Sequence, residues 1–117
     1  MLKRQQRICK NTEFRRVYRT GKVIPGKFMV LFNKKNGGNT TRFGFSVSKK
    51  VGNSVVRNRI RRLMREICRK HNDNIGDGYD IVLVARAAAK GRNFWQMEKD
   101  FIKITKRAGL YREIEIG

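Results

Sequence analysis

Apolar residues along this chain repeat with two periods. In "KFMVLF", residues 27–32, Phe28, Val30 and Phe32 alternate with Met29 and Leu31, the two-residue period of a strand. "TRFGFSVS", residues 41–48, alternates more sharply. Phe43, Phe45 and Val47 share one face, and Arg42, Gly44, Ser46 and Ser48 share the other. That second face is small and polar, so it leaves space that suits a groove better than a core. "YDIVLVA", residues 79–85, is apolar nearly throughout, the pattern of a central strand covered on both faces.

Elsewhere the period is helical. Phe14, Val17 and Tyr18 fall at i, i+3 and i+4 in a short helix, with Asn11 or Thr12 as its cap and Gly21 as its end. Val56, Ile60, Leu63 and Ile67 line a longer helix that runs from a Ser54 cap to about His71. Phe94, Met97, Phe101, Ile104 and Ala108 mark a third, stopped by Gly109. Pro25-Gly26 and Gly52-Asn53 are turn signals, "NKKNGGN" reads as a hairpin loop, and "NDNIGDG" breaks the chain after the long helix. The first ten residues lack a period and read as an extended basic arm; residues 110–117 read as a weakly structured tail. The order helix, strands, helix, strand, helix describes an α+β layer around a small mixed sheet. At 117 residues, with no internal repeat or linker, one domain over 1–117 is expected.

Charge sharpens this picture. Lys and Arg number 29 against nine acids, a net charge of +20. Compaction works against that repulsion, and a polyanionic partner relieves it. The stretch "KKVGNSVVRNRIRRLMREICRK", residues 49–70, holds nine of the cations and one acid, Glu66. Arg57, Arg61, Arg65 and Arg69 form an i, i+4 row opposite the apolar seam, where like charges cost a few tenths of a kcal/mol per pair. A solvated helix normally alternates signs. Arginine also outnumbers lysine here, six to three, and its planar fork suits phosphate. The helix therefore presents a rigid phosphate-binding face.

Several functions are disfavoured. No apolar run approaches the roughly 20 residues of a membrane span, and "MLKRQQRICK" lacks the apolar core of a secretory signal. A cytoplasmic protein without a membrane partner is expected. Cys9 and Cys68 make no disulfide framework and, with the lone His71, no zinc site, so both are read as reduced thiols. One histidine and nine acids give no Ser-His-Asp set and no paired carboxylates. No catalytic and no metal-binding side chains are expected.

RNA suits the basic face better than DNA. A helix-turn-helix reader needs a partner helix just before its recognition helix, and here a strand and a Gly-Asn turn precede it. Phe14 and Tyr18, with Phe28, Phe32, Phe43 or Phe45 from the strands, offer a stacking groove for single-stranded RNA. The pattern does not say which strand face is open.

"FGFSVSKKVGNSVVRNRIRRLMRE", centred on Arg57-Asn58-Arg59 and followed by Arg62 and Arg65, resembles the signature of the bacterial ribonuclease P protein subunit. "KNTEFRRVYRTGK" upstream and "DIVLVAR" downstream resemble the same family in the same order, so the likeness spans nearly the whole chain. The resemblance implies a four-stranded sheet in α-β-β-β-α-β-α order with a left-handed crossover through the basic helix. It implies a subunit of the ribonucleoprotein that removes the 5′ leader from precursor tRNA, with the active site and its Mg2+ in the RNA subunit. Phe14, Tyr18 and Phe32 match by position the cleft that holds the leader. Position 32, as Phe, offers no hydroxyl. Lys49, Lys50, Arg57, Asn58, Arg59, Arg61, Arg62, Arg65 and Arg69 are expected against the catalytic RNA. Asn58 is expected either to help position the leader or metal, or to fix the helix start by a hydrogen bond. The expected partners are the catalytic RNA and precursor tRNA, with no DNA and no tightly bound cofactor.

Two other readings fit part of the chain. A basic ribosomal structural protein shares the charge but needs no aromatic groove. A self-sufficient nuclease needs clustered carboxylates, and Asp73, Asp77 and Asp80 sit where acids commonly serve turns.

Overall fold

Seven main elements follow in chain order: α1 (Asn11–Thr20), β1 (Lys22–Pro25), β2 (Met29–Lys35), β3 (Arg42–Ser46), α2 (Ser54–Lys70), β4 (Tyr79–Ala85) and α3 (Phe94–Arg107). This computed structural model describes residues 2–114. The most apolar strand, β4, takes an inner position in a four-stranded sheet of order β1-β2-β4-β3. It runs antiparallel to β2, with Leu31 opposite Leu83 and Phe32 opposite Val82. It runs parallel to β3, with Gly44 beside Val82. Between these parallel strands α2 makes the crossover.

"NKKNGGN" is therefore not a hairpin loop. β2 extends through its first three residues to Lys35, and the rest spans the end of β4 to reach β3. The reason is burial. β4 can cover both faces only from inside the sheet, so it displaces the hairpin that chain order alone suggests. β2 also begins at Met29 rather than Lys27. Phe28 thus lies ahead of the strand and is buried in the main core, apart from Val30 and Phe32. β1, not identified from the residue pattern, is a four-residue exposed edge ending at Pro25, a position where the missing N–H costs nothing.

The sheet separates two apolar clusters. On one face Met29, Leu31, Phe43, Ile81 and Leu83 pack against Ile60, Met64 and Ile67 of α2 and Met97, Phe101 and Ile104 of α3. On the other, Val82 packs with Ile8 and with Val17 of α1, and Phe14, Phe32 and Val84 lean on them. Val17 is the one fully buried residue of α1, so this helix rests on a small contact.

The described parts of both terminal segments are pinned more firmly than expected. Residues 2–10 are not an extended arm, and Met1 lies outside the described range. Leu2 joins the main core while Ile8 joins the cluster under α1, so the segment wraps the open edge of β3. The Ile8 N–H donates to the Phe43 carbonyl at 2.8 Å, which satisfies an edge group otherwise left to water. At the other end Leu110 is buried and Tyr111 bridges to Ile75. Residues 115–117 of the expected tail lie outside the described range.

The helix caps shift by one residue. α1 starts after Lys10 with no side-chain cap, so neither Asn11 nor Thr12 serves. α2 is capped by Asn53, whose side chain accepts from the Val56 N–H at 3.0 Å, and not by Ser54. α3 ends as its pattern indicates, with Gly109 at φ +74°.

Candidate nucleic-acid interface

α1 packs over β2 and β4, with the Phe14 ring reaching β3, and the space between α1 and the end of β3 is open. A hollow of about 390 Å³ is lined by Asn11, Phe14, Tyr18, Phe45, Ser46 and Arg61, among others. Its depth comes from the small residues of β3. A Cβ on Gly44 would stand 2.8 Å from two atoms of the Phe14 ring, so glycine lets the ring lie directly on the strand. The Phe14 and Tyr18 centroids are 6.3 Å apart. Phe32 meets Tyr18 edge to face at 4.9 Å and 76°, a favourable geometry for aromatic pairs.

The three expected cleft aromatics therefore come together, in different places. Phe14 and Tyr18 line the hollow, while Phe32 supports Tyr18 from behind and is not among its lining residues. Of the alternatives, Phe28 and Phe43 are core and Phe45 lines the hollow. Ser46 and Gly44 belong to the site too, and their signal in the sequence was the small polar face of β3.

An ion-pair network fixes α1 over the sheet. Arg42 of β3 reaches Glu13 of α1 at 2.6 Å and grips Asp80 of β4 with two bonds, of 2.9 and 2.7 Å. Asn36 adds a 3.1 Å bond to Asp80. Burial alone would raise the Asp80 pKa, but the bonds from Arg42 and Asn36 outweigh it and hold the carboxyl below its ordinary value. A carboxyl with a depressed folded-state pKa stabilises the fold above its unfolded pKa, and that contribution is lost as pH falls through the folded value. Arg42→Met removes the main cause of the depression. Chemical denaturation at about pH 6 and about pH 3, either side of the ordinary carboxylate value, should show wild type losing more stability on acidification than the variant. Equal losses would mean that the network carries no net coupling.

The basic helix is rotated from its expected setting. Its buried stripe is Ile60, Met64, Ile67 and Cys68, turned toward the arginine row because Met64 and Cys68 complete the seam. Burial pushes the Cys68 thiol pKa well up, while Cys9 is exposed, and both cysteines are free. Arg57 and Arg61 consequently lie half-buried against the body, whereas Lys49, Lys50, Arg59, Arg62, Arg65 and Arg69 are exposed. Arg61 lines the hollow, and its Nη2 lies 3.5 Å from the Val47 carbonyl. This residue joins the cationic surface to the aromatic one. Asn58 accepts from Arg61 Nη1 at 3.2 Å, which helps orient that guanidinium. Arg69 pairs with Glu66 at 3.0 Å in an exposed contact, of a kind worth little.

A second hollow, of about 470 Å³, contains Asp73, Asp77, Asn72 and Thr41 among its lining. Its two acids outnumber its one cation, Arg112, which lies 3.9 Å from Asp77, so the hollow does not favour phosphate. Asp80 is engaged with Arg42, and among the described residues no three His, Cys, Asp or Glu side chains gather as a metal site. His71 hydrogen-bonds Glu98 at 2.9 Å and Tyr111 at 3.2 Å, not Asp73. No helix is long and apolar enough to cross a membrane among these residues.

Comparison with known proteins bears on the family and the fold. A family model described as Ribonuclease P matches residues 2–109. The ribonuclease P protein component of Clostridium novyi (strain NT) is 49% identical over 112 residues, spanning 94% of this chain and 99% of the relative. That of Natranaerobius thermophilus is 46% identical over 106 residues, spanning 91% and 92%. Among solved structures, a Staphylococcus aureus RNase P protein superposes with a TM-score of 0.85 at 34% identity, over 92% of this chain and 98% of its own. The Thermotoga maritima RNase P protein gives 0.80 at 28% identity, over 86% and 96%.

Proposed function

Because the chain belongs to the ribonuclease P protein family, we propose that it serves as the RNA-binding subunit of an endoribonuclease that removes the 5′ leader of precursor tRNA. The catalytic RNA and precursor tRNA are its partners, and it acts in the cytoplasm. The chemistry and its Mg2+ requirement belong to the RNA subunit. This chain supplies binding, orientation and charge.

The observation that carries the reading is the continuity of two surfaces at Arg61. The aromatic hollow under α1 suits unpaired bases, and α2 suits the phosphates of folded RNA. Arg61 belongs to both. In this reading Phe14 and Tyr18 stack leader bases while Phe32 holds Tyr18 in place. Lys49, Lys50, Arg57, Arg59, Arg61, Arg62, Arg65 and Arg69 face the catalytic RNA, and Asn58 sets the Arg61 guanidinium. Residues 1–117 work as one RNA-binding domain. Two polyanions must meet for leader removal, and a +20 chain between them offsets their repulsion.

The test is cleavage of a 5′-labelled precursor tRNA by a bacterial ribonuclease P RNA at low magnesium, with and without the protein. The mixture should release an intact leader where neither component does so alone. An RNA-binding protein that never restores cleavage would overturn the proposal in favour of a structural RNA-binding role.

A further inference from the structure

Exposed aromatic side chains, Tyr18 and Trp95, lie on opposite sides of the sheet. Opposite the hollow, on the α2/α3 side, lies the largest exposed aromatic residue of the chain. Trp95, the second residue of α3, is 71% exposed. A single open tryptophan is unremarkable by itself. Its surroundings are what distinguish it.

The chain carries no acid from Ile81 to Met97 and places Arg86, Lys90 and Arg92 there. The first turn of α3 is also free of acids, although that is where the helix dipole favours them. Glu98, the next acid along, is largely buried and turned to Lys70 at 2.6 Å and His71 at 2.9 Å. The loop ahead of Trp95 is tied to the basic helix, since Arg59 Nη2 donates to the Arg92 carbonyl at 2.8 Å. It is rigid as well. Asn93 and Gln96 form a reciprocal cap, Arg92 Nε donates to the Ala88 carbonyl at 3.2 Å, and Phe94 meets Trp95 edge to face at 6.1 Å. A backbone held in this way presents the indole from a defined position, which lowers the ordering cost of stacking on it.

We propose that Trp95, set against Phe94 and following a loop that Arg59 ties to α2 through the Arg92 carbonyl, is a stacking platform for an unpaired base of the catalytic RNA. This rests on the function proposed above. An aromatic surface among cations recognises a base and its flanking phosphates. The catalytic RNA is the occupant because the platform is continuous with the α2 face through Arg59, whereas the leader hollow lies across the sheet under α1.

Trp95 is the sole tryptophan, so its emission reports this site alone. A bacterial ribonuclease P RNA is titrated into the full-length protein while intrinsic fluorescence is followed, and affinity is measured separately with labelled RNA on a filter. Emission should be quenched in step with binding. Trp95→Ala should weaken binding roughly 5- to 150-fold, the range for one stacked base. Trp95→Phe should stay within a few-fold of wild type, and an unchanged melting temperature would show that the alanine variant folds. If wild type binds the RNA with its emission unchanged, or if Trp95→Ala binds equally well, the platform is refuted while the family function stands. Quenching that follows protein concentration without RNA would point to self-association and also refute it. If wild type neither binds the RNA nor restores cleavage, the proposed function fails and the platform with it.

Discussion

Replacing Asp100 with alanine should lower the unfolding free energy by about 3–5 kcal/mol, a large share of the roughly 5–15 kcal/mol typical of a domain. Asp100 lies on α3 and is 6% exposed. Its carboxylate accepts the backbone N–H groups of Lys27, Phe28 and Met29 at 2.9, 2.8 and 3.2 Å. Those three groups form the turn that carries the chain from β1 into β2. No cation pairs with Asp100 among the described ion pairs, so backbone dipoles meet its charge. Alanine leaves three donors without an acceptor. Phe28 and Met29 are buried, and an unsatisfied buried group costs about 1–3 kcal/mol. Water can reach the exposed Lys27, which is why the three costs do not simply add. Asp100→Asn keeps the shape and loses the charge, so its loss should be smaller, about 2–3 kcal/mol. Guanidinium denaturation of the three proteins measures both differences. A loss under about 1 kcal/mol for the alanine variant, well below the cost of one buried orphan donor, would show that β1–β2 pairing holds the turn without α3.

Asp100 also illustrates where sequence reading stops. The stripe of Met97, Phe101 and Ile104 was legible because five apolar residues share one period, and the strand limits of β4 were legible because it is buried on both faces. An acid beside that stripe reads as a solvent-facing residue. Only the fold brings it to a turn some 70 positions earlier in the chain. The Arg42 network failed to show for the same reason, since Glu13, Arg42 and Asp80 lie on three separate elements. Strand order was illegible because local pattern favours pairing neighbours, and β4 takes the inner place through burial. The wrap of the first residues went unseen because its anchors, Leu2 and Ile8, are only two and share no period. The long helix, with its cationic exposed face, was legible in the sequence. The seam of Val56, Ile60, Leu63 and Ile67 leaves out Met64 and Cys68, which are buried with Ile60 and Ile67, and the resulting rotation brings Arg61 to the hollow.

The hollow itself makes the sharpest functional prediction. Tyr18→Ala should weaken binding of precursor tRNA to the holoenzyme by about 1–3 kcal/mol, roughly 5- to 150-fold, and leave mature tRNA binding unchanged. Tyr18 is 37% exposed and lines the hollow, so its loss removes a stacking face while disturbing little packing. Phe14→Ala should give the same discrimination between ligands with an added loss of stability. Its ring lies on Gly44 and packs with the cluster of Ile8, Val17 and Val82, and truncating a large side chain in such a cluster leaves a cavity. Phe32→Ala should act more weakly and in the same direction, because Phe32 touches Tyr18 rather than the hollow. The order Tyr18 and Phe14 above Phe32 is therefore the signature of this geometry, and equilibrium binding of labelled precursor and mature tRNA measures it. Equal weakening of both ligands by Tyr18→Ala would place this surface against the tRNA body or the catalytic RNA instead of the leader. An effect of Phe32→Ala larger than that of Tyr18→Ala would mean that a base enters between α1 and β2, on the far side of the tyrosine.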